Sequence, residues 1–328
     1  MAEPFPLQLF ALDASHDLGE AVARTLGEPL AAHEEREFED GEHKARPLEE
    51  VGGRDVYLVQ SLHAGPDQSA NDKLVRLLFF IATLKDHGAA RVTAVAPYLC
   101  YARKDRRTKP RDPLSVRYVA TLLEAAGADG LVTLDVHNPA AFENAFRGRA
   151  VTLTAAPLFV RRFKGAAEER LCVVSPDPGG VKRAQIFREA LEAAMGRPVG
   201  FGFLEKRRSA GVVSGDLFAG EVDGATVLIV DDLIASGHTI ARAAQAMKRA
   251  GAARTIALAT HGLFMEGAET ALATPDIEQV IVTDAVPPFR LGPGALQNKV
   301  EILPCGPLLA EAIRRLHRNE PLADLMVN

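Results

Sequence analysis

The sequence predicts an α/β protein of two similar lobes, each a mainly parallel sheet flanked by helices. Three observations carry this expectation. Short β-branched or apolar runs alternate with longer helical patterns along most of the chain. The 328 residues, 47% of them hydrophobic, suit two domains with substantial cores. A weak internal similarity also recurs. "AVAPYLCYARKD" and "VVSPDPGGVKRA" each run from a strand through Pro into a loop ending in basic residues, and the later strands "VTLDVH" and "VLIVDD" end in acidic or His residues. The join falls near residue 150, giving lobes of 1–150 and 151–328. No low-complexity linker marks it, so the lobes are expected to pack closely, with the C-terminal helix free to pack back on the first.

In chain order, "DVYLVQSL", "RVTAVAP", "LVTLDVH", "LCVVSP", "TVLIVDD", "TIALATH" and "QVIVTD" read as buried strands. The stretch "NDKLVRLLFFIATLKDHG" separates the first two and reads as a helix. "SVRYVATLLEAAG" precedes the third, with Val116, Val119, Leu122 and Leu123 at helical spacing and Gly127 as a stop. Further on, "ASGHTIARAAQAMKRAG" places Ile240, Ala243, Ala244 and Met247 on one helix face, with Gly251 as its stop. In such folds ligands sit beyond the carboxyl ends of strands. The polar strand ends are therefore where chemistry is expected.

Bulk properties exclude several classes. A net charge of −5 and a pI near 6.0 provide no global basic field for nucleic acid or lipid. Cys100, Cys172 and Cys305 are far apart, and neither Cys-x-x-Cys nor His-Glu-x-x-His occurs, so neither a disulfide framework nor a structural zinc site is expected. The opening "MAEPFPLQLFALDASHD" lacks the basic and apolar regions of a signal peptide, and runs such as "LLFFIA" are too short to span a bilayer. The expectation is a soluble, cytoplasmic protein without nucleic-acid or membrane partners.

"VLIVDDLIASGHT" (227–239) poses the main question. An apolar strand runs into Asp231 and Asp232, which repel each other, and then into a loop of small and hydroxyl residues. The "SGHT" turn opens a helix, where free N–H groups suit a phosphate. Two carboxylates are acceptors suited to a vicinal diol or a divalent ion. Phosphate and diol together describe a pentose 5-phosphate. An acidic strand end followed by an ordinary helix cap is the plainer reading of the same residues.

The wider chain supports the former. An apolar strand, Asp-Asp and a small-residue loop ending in Thr resemble the ribose-phosphate signature of the phosphoribosyltransferase superfamily. "FEDGE" (38–42), "APYLCYARKDRR" (96–107), "LLEAAGADGLVTLDVH" (122–137), "SPDPGGVKRA" (175–184), "EKRR" (205–208), "ATHGLF" (259–264) and "PLLAEAIRRLH" occur in the order of the ribose-phosphate pyrophosphokinase family. This resemblance covers nearly the whole chain. It implies phosphoribosyltransferase-like lobes and the reaction of ATP with ribose 5-phosphate to give AMP and 5-phosphoribosyl 1-diphosphate (PRPP).

The resemblance also implies residue roles. Lys206 and Arg208 are the catalytic cations, Arg208 also serving the sugar phosphate, on a lid-like segment that otherwise reads as a solvated charge run. Phe38, Asp40 and Glu42 serve adenine at a neighbouring subunit's site, so a homo-oligomer is implied. Arg103 and its neighbour Lys104 serve ATP. His137 and Asp177 match positions for Mg²⁺, although imidazole is an unusual Mg²⁺ ligand. Asp231, Asp232, Ala235, Ser236, Gly237, His238 and Thr239 hold ribose 5-phosphate.

Two departures stand out. Lys104 replaces the family's common Gln, and Ala235 replaces an Asp, removing one hydroxyl acceptor. The competing readings are a non-catalytic regulatory subunit of the same fold and a base-using phosphoribosyltransferase. The first is disfavoured by the presence of Lys206, Asp177 and the Asp pair. The second is disfavoured by the second lobe and by "FEDGE" and "YARKDRR".

Overall fold

The computed structural model describes residues 5–165, 170–209, 212–294 and 296–326, with the backbone alone described at 206–209 and 212–216. The chain divides into two compact units, Met1–Thr154 with Cys305–Val327, and Ala155–Pro304.

The first unit begins β1 (Leu7–Ala11), α1 (His16–Leu26) and a hairpin of β2 (His33–Glu37) and β3 (His43–Pro47). It continues β4 (Asp55–Val59), α2 (Ala70–Asp86), β5 (Arg91–Val95), α3 (Ser115–Ala125), β6 (Gly130–Leu134), α4 (Pro139–Ala145) and β7 (Arg149–Leu153). Its sheet has the order β1-β4-β5-β6-β7 and is parallel throughout. Strands β4 and β6 are buried along their whole length, which is why they read as unbroken apolar runs. Helix α2 opens on a capping box in which Ser69 and Asp72 exchange side-chain and backbone bonds. Its residues Leu77, Phe80, Ile81 and Leu84 enter the core with Phe10, Leu58 and Val92.

The second unit contains α5 (Ala156–Phe163), β8 (Leu171–Ser175), α6 (Val181–Met195) and a hairpin of β9 (Gly200–Ser209) and β10 (Val212–Ala219). Then come β11 (Thr226–Ile234), α7 (His238–Arg249), β12 (Arg254–Gly262), α8 (Ala268–Leu272), β13 (Gln279–Thr283) and β14 (Val300–Leu303). The sheet order is β10-β9-β8-β11-β12-β13-β14, parallel except for the antiparallel pair of β9 and β10. Ile229, Ala243, Met247, Ala257 and Val280 build its core.

The final helix, α9 (Gly306–Arg318), belongs to the first unit and packs on α1. Gly306 permits this approach, because a Cβ there would stand 2.8 Å from Ala21 Cβ. At the other end of the helix, His317 Nδ1 lies 2.8 Å from Oδ2 of the fully buried Asp55. Asp55 also takes two bonds from Arg91, and that pairing raises the Arg91 pKa.

Strand for strand, β1, β4, β5, β6 and β7 correspond to β8, β11, β12, β13 and β14, and each unit inserts a hairpin after its first strand. The likeness read from the Pro-bearing loops pairs β5 with β8 and β6 with β11, which is a different register. Those loops share the composition of strand exits but not a place in the fold. The two hairpins also differ. β2–β3 forms a sheet of its own, whereas β9–β10 extends the second sheet at β8. After β8 the chain therefore builds outward on one side, then returns to lay β11 on the other. That reversal creates a topological switch point between β8 and β11.

Candidate active site

At a switch point the loops leaving two adjacent parallel strands diverge to opposite faces and open a crevice at the carboxyl edge. Asp177 follows β8 there, and Asp231 and Asp232 lie near the end of β11. Strand β11 runs two residues past the Asp pair, to Ile234, rather than ending at it. Its pairing with β12 continues through Asp231↔Ala259 and Leu233↔His261, but its pairing with β8 stops at Ile229↔Val174. The two aspartates thus lie on a stretch of β11 that is paired with β12 but no longer with β8. The backbone cost of carboxylates in a strand is met on the β12 side.

Asp232 is buried and Asp231 is partly so. The Asp232 N–H donates to Asp231 Oδ1 at 2.9 Å. Arg183, on α6, sets one guanidinium nitrogen 3.7 Å from Asp231 Oδ1 and 3.5 Å from Asp232 Oδ1. Burial and then the Asp232 charge push the Asp231 carboxyl well above the usual carboxylate range, and Arg183 offsets only part of this. The pair is therefore held under electrostatic stress that a cation or a hydroxyl donor would relieve. Arg183 lies within "SPDPGGVKRA", but sequence reasoning assigned it no role. The available signal was its place one helical turn after the Gly pair.

The neighbouring loops are built for close approach. Gly237 is the N-cap of α7 with φ 75°, and a Cβ there would meet Leu272 Cγ at 2.7 Å. Only glycine satisfies both constraints. Without a capping side chain, the first-turn N–H groups beside His238 and Thr239 point outward without a side-chain acceptor. The loop is braced from behind, since Leu263 and Phe264 donate to the Ile234 carbonyl and Met265 to that of Ala235. Ala235, Ser236 and Thr239 are half-buried and His238 is exposed. On the β8 side, Asp177 Oδ1 accepts the Gly180 N–H at 3.1 Å, and the buried Ser175 hydroxyl donates to the Asp177 carbonyl at 2.6 Å. A Cβ at Gly180 would stand 2.8 Å from Ser175 Oγ, so this turn too requires a bare backbone.

Lys206 and Arg208 fall on β9, the strand beside β8, and the register Ser175↔Phe203 carries them past the carboxyl end of β8. Their side chains lie outside the described residues. The candidate cations, the Asp177 turn and the Asp231–Thr239 loop thus leave three adjacent strands at one edge.

In the first unit, Phe38, Asp40 and Glu42 share the exposed tip of the β2–β3 hairpin. Phe38 exchanges backbone bonds with Gly41 and Glu42, and Asp40 Oδ1 accepts the Glu42 N–H at 3.0 Å. Arg36 lies 5.1 Å over the Phe38 ring. Arg103 is exposed in the loop after β5. Lys104 is committed within that loop. Its Nζ lies 2.5 Å from Asp112 Oδ2, which also accepts from the N–H groups of Thr108 and Lys109. The Lys104 and Thr108 side chains hold Asp112 below the usual carboxylate range. His137 is exposed beyond β6, and its neighbour Asn138 donates to Asp105 Oδ2 at 2.6 Å. The structure therefore joins the Arg103 loop to the His137 loop.

Parallel sheets of this order, with a phosphate-suited helix start after an Asp-Asp strand, define a phosphoribosyltransferase-like α/β fold. Residues 7–127 match the family model described as the N-terminal domain of ribose phosphate pyrophosphokinase. Residues 215–327 match that of the phosphoribosyl synthetase-associated domain. The chain is 35% identical over 322 residues to the ribose-phosphate pyrophosphokinase of Hyphomonas neptunium, covering 97% of this chain and 99% of that one. It is 36% identical over 321 residues to a Streptococcus pyogenes protein provisionally named ribose-phosphate pyrophosphokinase 2, covering 97% and 94%. The crystal structure of phosphoribosylpyrophosphate synthetase from Mycobacterium smegmatis superposes with a TM-score of 0.84 at 35% identity, covering 96% and 99%. The chain belongs to the ribose-phosphate pyrophosphokinase family.

Among the described residues no helix is long and apolar enough to cross a membrane.

Proposed function

We propose that this chain is a ribose-phosphate diphosphokinase that transfers the pyrophosphoryl group of ATP to the anomeric hydroxyl of ribose 5-phosphate, releasing AMP and PRPP. The observation that carries the reading is the switch-point edge, where the Asp177 turn and the Asp231–Thr239 loop leave adjacent strands and β9 brings Lys206 past the end of β8. In this reading Asp231 and Asp232 accept the sugar hydroxyls. Ser236, Gly237, His238 and Thr239 receive the 5-phosphate at the start of α7, and Ala235 contributes backbone alone. Lys206 and Arg208 neutralise charge on the transferring group. Phe38, Asp40, Glu42 and Arg103 serve ATP. Lys104 acts at one remove, bracing the Arg103 loop through Asp112.

The donor set fits Mg²⁺ at Asp177, an oxygen ligand beside two bare glycines, and His137 is the weaker match. When bound, the ion supplies charge neutralisation for the polyphosphate. Asp177→Asn keeps an oxygen for the Gly180 cap but lowers the charge. It is expected to raise the Mg²⁺ concentration needed for half-maximal rate. An Mg²⁺ titration unchanged from wild type would remove Asp177 from the metal site.

The exposed hairpin tip supports a homo-oligomer in which this tip serves a neighbouring subunit. So do the exposed Phe79, Tyr118 and Leu122.

Purified protein with ATP, Mg²⁺ and ribose 5-phosphate is expected to form AMP and PRPP in equal amounts, with no ADP as primary product. Omitting the sugar should abolish AMP release, because the attacking hydroxyl is then missing. ADP would indicate an ordinary kinase. Binding of both substrates without turnover, in a folded sample supplied with phosphate and Mg²⁺, would identify a regulatory subunit.

A further inference from the structure

Outside the candidate active site, one group of metal-ligating side chains converges among the described residues: Asp13, His33 and Glu35. Their ligand atoms all lie within 4.8 Å of one another. His33 and Glu35 stand two apart on β2 and so share a face. Asp13 follows β1, and its N–H donates to Glu35 Oε1 at 2.6 Å, joining the two segments. The His33 ring packs against Phe10 and Phe80, with centroids 6.5 and 5.7 Å away. Its Nε2 lies 3.5 Å from Asp13 Oδ1 and 3.3 Å from Glu35 Oε1.

The shorter of these is a long hydrogen bond between His33 and Glu35, just beyond the usual N–H···O range of about 2.7–3.2 Å. A shared ion would fit with small adjustments, since bonds of about 2.0–2.1 Å place two tetrahedral ligand atoms roughly 3.3–3.4 Å apart. Charge points the same way. Arg76 sets its two terminal nitrogens 3.5 Å from Glu35 and 2.9 Å from Glu37. Arg76 thus serves Glu35 and Glu37, and Asp13 adds a third carboxylate beside this single guanidinium.

We propose that Asp13, His33 and Glu35 form a binding site for a divalent transition-metal ion, with Zn²⁺ the best match. One imidazole with two carboxylates suits this borderline ion, whereas Mg²⁺ favours an all-oxygen shell. Water completes the shell on the side of the exposed Asp13, and Arg76 orients Glu35 from behind. The bound ion clips the loop after β1 to the hairpin whose tip carries Phe38, Asp40 and Glu42. The absence of Cys-x-x-Cys and His-Glu-x-x-His does not bear on this site, because its ligands come from two separate segments.

The test is calorimetric titration of Zn²⁺ into tag-free, chelator-treated full-length protein, with millimolar Mg²⁺ present to occupy oxygen-only sites. One saturable event per chain is expected. Asp13→Asn should weaken it by at least the roughly 10–100-fold that even an outer-shell change costs. His33→Gln should abolish it, with folding of both variants checked by circular dichroism. Asp13 has a side chain 67% exposed, so its variant carries the test should His33→Gln fail to fold. The proposal is overturned if wild type shows no saturable Zn²⁺ binding, or if a folded Asp13→Asn variant binds as wild type does.

Discussion

Replacing Lys206 by Ala is expected to lower kcat by roughly 10²–10³, with little change in KM for either substrate. Loss of one charge-stabilising contact made mainly in the transition state has about this effect. The structural ground is the strand neighbourhood. β9 lies parallel to β8, so position 206 is carried past the end of the strand from which the Asp177 turn departs. Steady-state kinetics with each substrate varied in turn check the prediction. A variant with near-normal kcat would return "EKRR" to the role of a solvated charge run. A variant with raised KM and unchanged kcat would assign Lys206 to ground-state binding.

The second large effect concerns Asp231. Asp231→Asn is expected to weaken ribose 5-phosphate binding by about 1.5–3 kcal/mol, the usual worth of a hydrogen bond to a charged group, with ATP affinity changed less. The same substitution should stabilise the ligand-free protein at neutral pH. In the folded state burial and Asp232 raise the pKa of Asp231, so its ionisation costs more there than in the unfolded chain. The folded state binds the extra proton, and stability from this group is lost as pH rises from the ordinary carboxylate range through the raised pKa. Asn carries no such penalty. The gain in Tm over wild type should therefore grow with pH through that window and vanish at acid pH. Calorimetry with each substrate and thermal melts across pH test both halves. Equal loss of both substrates, or a Tm gain independent of pH, would contradict the assignment.

Much of this architecture was legible in the chain. The seven strands read from apolar runs are all present, and the helices at "NDKLVRLLFFIATLKDHG", "SVRYVATLLEAAG" and "HTIARAAQAMKR" form where periodicity and caps place them. Hairpin β2–β3 was harder to read. Its strands, "HEERE" and "HKARP", are charged and make a two-stranded sheet of their own, separate from the main sheet. Their partners are ionic, such as Arg46 and Lys44 with Glu34, and leave no apolar alternation to detect. The wrong register of the internal similarity has a related origin. Two strand exits can share Pro and basic residues without sharing a position in the sheet.

The sequence by itself determined which segments are strands and helices and which short loops suit phosphate. These properties depend on residues within a few positions of one another. Tertiary structure alone decided the rest. It set Arg183 against both aspartates and ended the pairing of β11 with β8 before Asp231. It closed Lys104 onto Asp112 and placed α9 in the first unit through Gly306 and His317. It also drew Asp13 to His33 and Glu35, 20 and 22 residues further along the chain. Each of these depends on strand order, register or close backbone approach. Such relations join residues distant in sequence, and no local periodicity encodes them.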